Sequence, residues 1–332
     1  MVLLYMVKIP KYKLLGEYKE GESVRDVFVV KIKKGISEYV KGYSFTLVLT
    51  DSSGKSIDYK YWGGSDEQKV KELYNAIKND SVMFIIGQTS SYQGKLQIAS
   101  NEQNPIKILE KGEYEEADFI KKTSKNIDNL ILELESYIEK VINPKLKLLL
   151  QNIFNGKIKE QFKKHPAAIS IHHNWIGGLL EHTLEVLKYC ELSKEIFPPL
   201  NEDMLITGAL LHDIGKLEEM EMTTRIKGTD SGMFSGHILL GSIFMSKEMD
   251  KIDLEKSTKE KIIHMIASHH GSLENGSPKE PMFPEAVALY HADEMSSKIA
   301  EMLNFIENSK NETEDNFMPK WDRSKPTNIF LR

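Results

Sequence analysis

What this chain lacks narrows its identity before any motif is read. Its 332 residues include a single cysteine, Cys190. That excludes an internal disulfide framework and a cysteine-rich zinc site, and a reducing cytoplasm is the compartment that fits. The apolar opening MVLLYMV runs for only seven residues. It has no basic leader and no small-residue cleavage site, which makes it a poor signal peptide. It also falls far short of the roughly 20 residues of a membrane-spanning helix. Internal repeats and low-complexity segments are missing too. A composition of 40% apolar and 28% charged residues is that of an ordinary soluble protein. No charge of one sign dominates, but the net charge of −5 is unevenly spread. Residues 1–110 carry 16 Lys+Arg against 13 Asp+Glu, a balance of +3, and the remainder carries 28 against 36, a balance of −8. A mildly basic front permits polyanion binding without demanding it.

The pattern changes from β to α along the chain. Val27–Ile32, Phe45–Leu49 and Ile57–Trp62 have the β-branched and aromatic content of strands, with a strong turn at 51–55. Val70, Leu73, Tyr74 and Ile77 keep a helical spacing, and Val82–Gly87 and Lys95–Ile98 return to strand. Five strands with a helix between the third and fourth is the order of an OB-fold barrel. From Asp118 the periodicity is helical, with Pro144 ending or kinking one helix and Pro198-Pro199 closing another. The expected organisation is an N-terminal all-β OB-fold barrel (1–112), a helical linker (113–160), an all-α metal-binding bundle (161–310) and a loose polar tail (311–332).

All ten histidines lie between His165 and His291. Seven metal-competent side chains follow in order: His182, His212-Asp213, His237, His269-His270 and Asp293. The gaps between these groups are 30, 24, 32 and 23 residues, which suits ligands presented by successive helices. Imidazoles and carboxylates without thiolates favour Mn, Fe, Co, Ni or catalytic Zn over structural zinc. His182, His212, Asp213 and Asp293 would satisfy one ion. His237, His269 and His270 leave enough nitrogen for a second if Asp213 bridges. Two divalent cations offset by two carboxylates form a positive centre that attracts a phosphodiester and lowers the pKa of a water between them. A lone histidine on a helix is more often a structural residue than a ligand, and His165 and His291 are left in that class.

The segment from His172-His173-Asn174-Trp175 through Gly177-Gly178 to His182, then His212-Asp213-Ile214-Gly215-Lys216, Gly236-His237, Ser268-His269-His270-Gly271 and His291-Ala292-Asp293, resembles the HD-domain superfamily. Within it the chain is most similar to the YhaM-type 3′→5′ exoribonucleases, which join an OB-fold to an HD phosphohydrolase domain. The resemblance implies metal-dependent removal of nucleotides from the 3′ end of single-stranded RNA, with single-stranded DNA as an alternative substrate. It implies Mn²⁺ as the leading metal, with Co, Ni or Fe as others, and a homo-oligomer without a membrane partner. The ligands carried over are His182, His212, Asp213 and Asp293 for one ion, and His237 with His269, His270 or both for the other. Asp213 is also a candidate catalytic residue, as is Lys216, whose ammonium could hold the scissile phosphate. Gly276-Ser277-Pro278 stands where cyclic-dinucleotide phosphodiesterases of the superfamily carry Gly-Tyr-Pro, which weakens that substrate class.

OB barrels bind single strands by stacking bases on aromatic side chains along a positive groove. The candidates are Trp62, Lys60, Tyr61, Phe45, Tyr92 and Lys95; His172 and His173, which precede the Gly177-Gly178 bend at a helix entrance, either contact substrate or only shape that entrance. Alternation in Ile57–Trp62 puts Tyr61 on one face and Lys60 and Trp62 on the other, so one of these faces is core. The alternatives to an exoribonuclease are a phosphohydrolase of small nucleotides, an HD-type oxygenase and a non-catalytic RNA-binding scaffold.

Overall fold

The computed structural model describes residues 8–169, 173–309, 315–322 and 325–332. The chain divides into two compact units, Met1–Lys121 with Met222–Arg225, and Lys122–Glu221 with Ile226–Arg332.

The first unit is built around one strand that serves two partners. β1 (Ser23–Tyr39) pairs antiparallel with β2 (Gly42–Thr50) over its second half. Its first half, from Ser23 to Val29, pairs with β4 (Val82–Tyr92). Register shifts between Val30 and Ile32 and between Lys34 and Ile36 bend the strand so that it can face both ways. β3 (Ser56–Trp62) pairs with β2, and β5 (Lys95–Asn101) pairs with β4 and lies parallel to β3. The ring β1-β2-β3-β5-β4-β1 is thereby closed, with a short β6 (Lys107–Leu109) added on β4. Closure with α1 (Glu67–Ala76) between β3 and β4 is the OB-fold. Inward side chains alternate along each strand: Phe45, Leu47 and Leu49 of β2 and Ile57, Tyr59 and Tyr61 of β3 are all buried.

Asp26 ties the leading segment to this barrel. Its fully buried carboxylate accepts hydrogen bonds from the backbone N–H groups of Tyr12 and Lys13 and from the Tyr18 hydroxyl, and it pairs with Lys11 at 3.0 Å.

The second unit is helical. α2 (Ile127–Lys140) is followed by α3 (Pro144–Ile153), which Pro144 opens at its first position, where the missing N–H costs nothing. After α4 (Gly156–Phe162) come α5 (Gly178–Ile196) and α6 (Glu202–Leu211). From Met204 to Leu211 every residue of α6 is buried, so this helix runs through the core rather than over it. The short α7 (Lys216–Glu219) leads into the hairpin β7 (Met220–Met222) and β8 (Ile226–Gly228). α8 (Asp230–Asp250), α9 (Lys256–Ser268) and α10 (Pro284–Ser309) complete the bundle. Among the described residues no helix is long and apolar enough to cross a membrane.

The expected loose tail is corrected. β9 (Phe317–Asp322) and β10 (Lys325–Phe330) form an antiparallel hairpin, with Ile329 and Leu331 buried and Lys320 paired with Glu301 of α10 at 2.6 Å. Polar composition hid a strand pair held by a few apolar anchors. For the barrel, Asp26→Ala removes one of the two carboxylates beside buried Lys11 and leaves the Tyr12 and Lys13 amides and the Tyr18 hydroxyl without their acceptor. The expected cost is about 3 kcal/mol of unfolding free energy, read by urea denaturation of the whole chain.

Candidate metal centre

Three helix interruptions aim the ligands. His212 follows the last turn of α6 and His269 follows the last turn of α9, where the chain leaves the helix and the side chain turns inward. His237 follows a break inside α8 at Gly236, whose φ of 67° and ψ of 158° are not helical. Gly215 explains how α8 comes so near: a Cβ there would lie 2.0 Å from the His237 carbonyl oxygen. Only glycine lets the turn after Asp213 meet the α8 backbone. His182 sits on α5 and Asp293 on α10, so five helical segments converge on one point.

The geometry at that point is organised by Asp213. Its Oδ2 lies 3.4 Å from His182 Nε2, 3.3 Å from His212 Nε2 and 2.6 Å from Lys216 Nζ. Its Oδ1 faces the other way, 3.7 Å from His237 Nε2 and 3.5 Å from His269 Nε2. Asp293 Oδ1 completes the first group, 3.0 Å from His182 Nε2 and 3.9 Å from His212 Nε2. Potential ligand atoms of His182, His212 and Asp213 lie within 4.8 Å of one another, as do those of His237, His269 and His270.

All five imidazoles present the same nitrogen. Nδ1 of His212 donates to the Ala209 carbonyl, that of His269 to the Ile266 carbonyl and that of His270 to the Asn275 carbonyl, at 2.8, 2.7 and 3.1 Å. Nδ1 of His237 donates to Glu219 Oε1 at 3.0 Å, and Nδ1 of His182 is 3.0 Å from Ser296 Oγ. Carbonyls and carboxylates only accept, so the proton is fixed on Nδ1 and the Nε2 lone pair is left for the centre. Burial with no hydrogen-bond partner leaves Asp213 Oδ1, His237 Nε2 and His269 Nε2 unsatisfied. Such atoms cost about 1–3 kcal/mol each unless a ligand takes them up. Imidazole and carboxylate donors suit a divalent cation.

The local electrostatics have the same cause. Burial disfavours the Asp213 carboxylate, yet Lys216 and the surrounding histidines hold its carboxyl well below the usual carboxylate range. Asp293 is driven far down too, as its contacts with His182 outweigh burial. Against its own burial, His182 is pushed up to about 9 by Asp213 and Asp293. On the opposite side His270 is pushed down to about 3 by burial, helped by the neighbouring histidines. The carboxylate-rich half thus attracts positive charge, while burial keeps His269 and His270 neutral and able to coordinate.

Residues 179–298 match the HD domain family model. The helical unit contains an HD domain, the mark of a metal-dependent phosphohydrolase superfamily. Solved structures similar to parts of the chain include the p204 HINb domain, at 15% identity and a TM-score of 0.23 over 30% of this chain and 46% of that one. A replication protein A heterotrimer bound to ssDNA matches at 18% identity and 0.18, over 29% and 63%. RecG bound to a three-way DNA junction matches at 14% identity and 0.23, over 56% and 26%. The chain spans less than two thirds of the length of each, and likeness at these scores bears on neither fold nor ligand.

All seven expected ligands are brought together, and Lys216 is buried among them rather than solvated. The expected nucleic-acid contacts divide. Tyr92 and Lys95 line a groove of about 730 Å³ on the barrel with Lys34, Lys55, Asp58 and Gln97. Trp62 is part-exposed on the outward row of β3, with Lys60 Nζ 4.9 Å from its ring centre. Phe45 and Tyr61 are corrected: they stack on each other inside the barrel at 4.9 Å and reach no surface. His173 is corrected as well, since it is buried against Glu185 at 3.1 Å rather than open to substrate. His172 lies outside the described residues.

Glu185, Glu219 and Ser296 escaped the sequence reading. Glu185 and Ser296 each lie one helical turn beyond a ligand, His182 and Asp293, and that spacing was the available signal. Asp213→Ala is expected to remove divalent-ion binding from both ligand groups at once, because each loses its shared oxygen. Metal content of the purified protein by mass spectrometry checks this; full retention of metal would refute the bridging position.

Proposed function

We propose that this protein is a metal-dependent 3′→5′ exoribonuclease of the YhaM type, acting on single-stranded RNA and also on single-stranded DNA. The observation that carries the reading is the convergence of four Nε2 atoms, those of His182, His212, His237 and His269, on the two oxygens of Asp213. In this reading two ions are held. His182, His212, Asp213 and Asp293 would hold one, and His237, His269 and His270 with Asp213 would hold the other. Manganese is the leading metal. Bound divalent ions would supply the positive charge that polarises phosphate oxygens and makes water acidic enough to attack near neutral pH.

The chain's own groups do the rest. Lys216, whose Nζ is 2.6 Å from Asp213 Oδ2, adds a fixed cation beside the scissile phosphate. No separate general base is needed in this reading, and Asp213 or Asp293 could relay the proton released by the attacking water. Water oxygen bonds to phosphorus, the bond to the 3′ oxygen of the preceding nucleotide breaks, and that oxygen takes up a proton. The products are a nucleoside 5′-monophosphate and a chain shorter by one. Enclosure supports an end-acting enzyme. The side chains of His182, His212 and His269 are fully buried, and those of His237 and Asp293 are only 13% and 12% exposed. Burial of this kind would suit a chain terminus better than the middle of a strand.

On the barrel, the groove around Tyr92, Lys95 and Lys55 supports strand capture by stacking and phosphate contact. A homo-oligomer in the cytoplasm belongs to the same proposal. Enclosure also favours a second reading, a phosphohydrolase of small nucleotides, which chain-length dependence separates from the first.

Incubating 5′-labelled single-stranded RNA with Mn²⁺ is expected to give a descending ladder, abolished by Asp213→Ala or by EDTA. An intact oligomer with every divalent metal tried, alongside turnover of a mononucleotide, would overturn the exonuclease. Tyr92→Ala with Lys95→Ala is expected to weaken strand binding about tenfold, the worth of one stack and one phosphate contact. Filter binding to Asp213→Ala backgrounds reads this without turnover, and unchanged affinity would remove the groove from the proposal.

A further inference from the structure

His182 differs from the other four histidines in what holds its outer nitrogen. The others lean on a carbonyl or on one carboxylate, whereas His182 Nδ1 meets the hydroxyl of Ser296 at 3.0 Å. That hydroxyl has one hydrogen, and it goes to Glu185 Oε2 at 2.8 Å, because a carboxylate only accepts. Ser296 must therefore accept from His182, which keeps a proton on Nδ1 and reserves Nε2 for the centre. The same Glu185 oxygen is 3.1 Å from His173 Nε2. Three side chains from two helices and a loop are thus strung behind one candidate ligand.

The loop end of this string is built with care. His173 has a φ of +46°, in the left-handed region that side chains seldom adopt. Gly177, at φ +83°, opens α5, and a Cβ on Gly178 would lie 2.0 Å from the His173 carbonyl oxygen. The two glycines let the loop fold back onto the first turn of α5, and the fold delivers His173 to Glu185 one turn beyond His182. Trp175 Nε1, donating to Glu181 Oε2 at 2.9 Å, pins the same loop to the same helix. Lys125 also reaches Glu185, at 3.3 Å, but its side chain is 47% exposed and such a pair is worth little. The buried partners of Glu185 are His173 and Ser296.

We infer that His173, Glu185 and Ser296 form a positioning chain that fixes the tautomer and the ring orientation of His182 for metal binding. The inference rests on the metal reading of the centre and assigns these residues a role in holding the ion, not in touching substrate.

The test is a titration of Mn²⁺ into the metal-free full-length chain, with free ion followed by electron paramagnetic resonance. Thermal melting of each metal-free variant is measured beside it. Ser296→Ala and Glu185→Gln are each expected to weaken Mn²⁺ binding about 10–100-fold, with the metal-free melting temperature unchanged. Ser296→Thr, which keeps the hydroxyl, is expected to recover most of that affinity, which a purely structural role would not produce. If Ser296→Ala melts early, the near-isosteric Glu185→Gln decides. Wild-type affinity in both loss variants would overturn the positioning chain and leave the centre standing. A wild-type chain that takes up no divalent ion would overturn the metal reading itself, and the chain with it.

Discussion

The buried carboxylate of Asp213 is the constraint on which the helical unit depends. An ionised carboxylate inside a protein is costly unless opposite charge and hydrogen bonds surround it. Here the compensation comes from several helices at once: Lys216 one turn on, His212 beside it, His182 from α5, and His237 and His269 on the far oxygen. Asp293 adds a second buried negative charge from α10. The result is a core that demands cations. A protonated His182 and Lys216 meet part of that demand, and a divalent ion meets it with higher charge density. Burial also keeps His269 and His270 neutral, in the state in which imidazole coordinates metal.

This constraint explains why the ligands sit where helices stop. A residue in mid-helix can reach only the face that its helix presents. A residue at a C-terminal cap or beside a kink can turn along the axis toward a neighbour. His212, His269 and His237 occupy such places, and the glycines at 215 and 236 permit the approach and the break. The HDxGK pattern is then a steric statement as well as a chemical one: two ligands, a glycine thin enough for α8 to pass, and a buried lysine.

The ligands were legible in the sequence because histidine and aspartate are few and their order is far from random. The barrel was legible from its strand content and the position of one helix. What escaped has a common physical reason. Ser296, Glu185 and Glu219 are ordinary polar residues whose meaning depends on which nitrogen of a histidine faces outward, and no periodicity encodes that. Phe45 was open to a better reading, since it shares the parity of Leu47 and Leu49 along β2 and so belongs to their face. Of the two roles open to His173, its burial against Glu185 favours shaping the helix entrance, and the glycine pair that follows serves to bury it. The terminal hairpin was missed because its apolar anchors are few and its polar composition argued against any core.

Charge distribution bears on which substrate the centre serves. Residues after 110 carry a balance of −8, so an anion approaching the helical unit meets a repulsive exterior before it meets the attractive core. Salt screens that repulsion beyond roughly 8–10 Å, but screening also hides the buried centre from a small nucleotide at a distance. The barrel, at +3 over residues 1–110 with lysines and an exposed Tyr92 along its groove, has the opposite character.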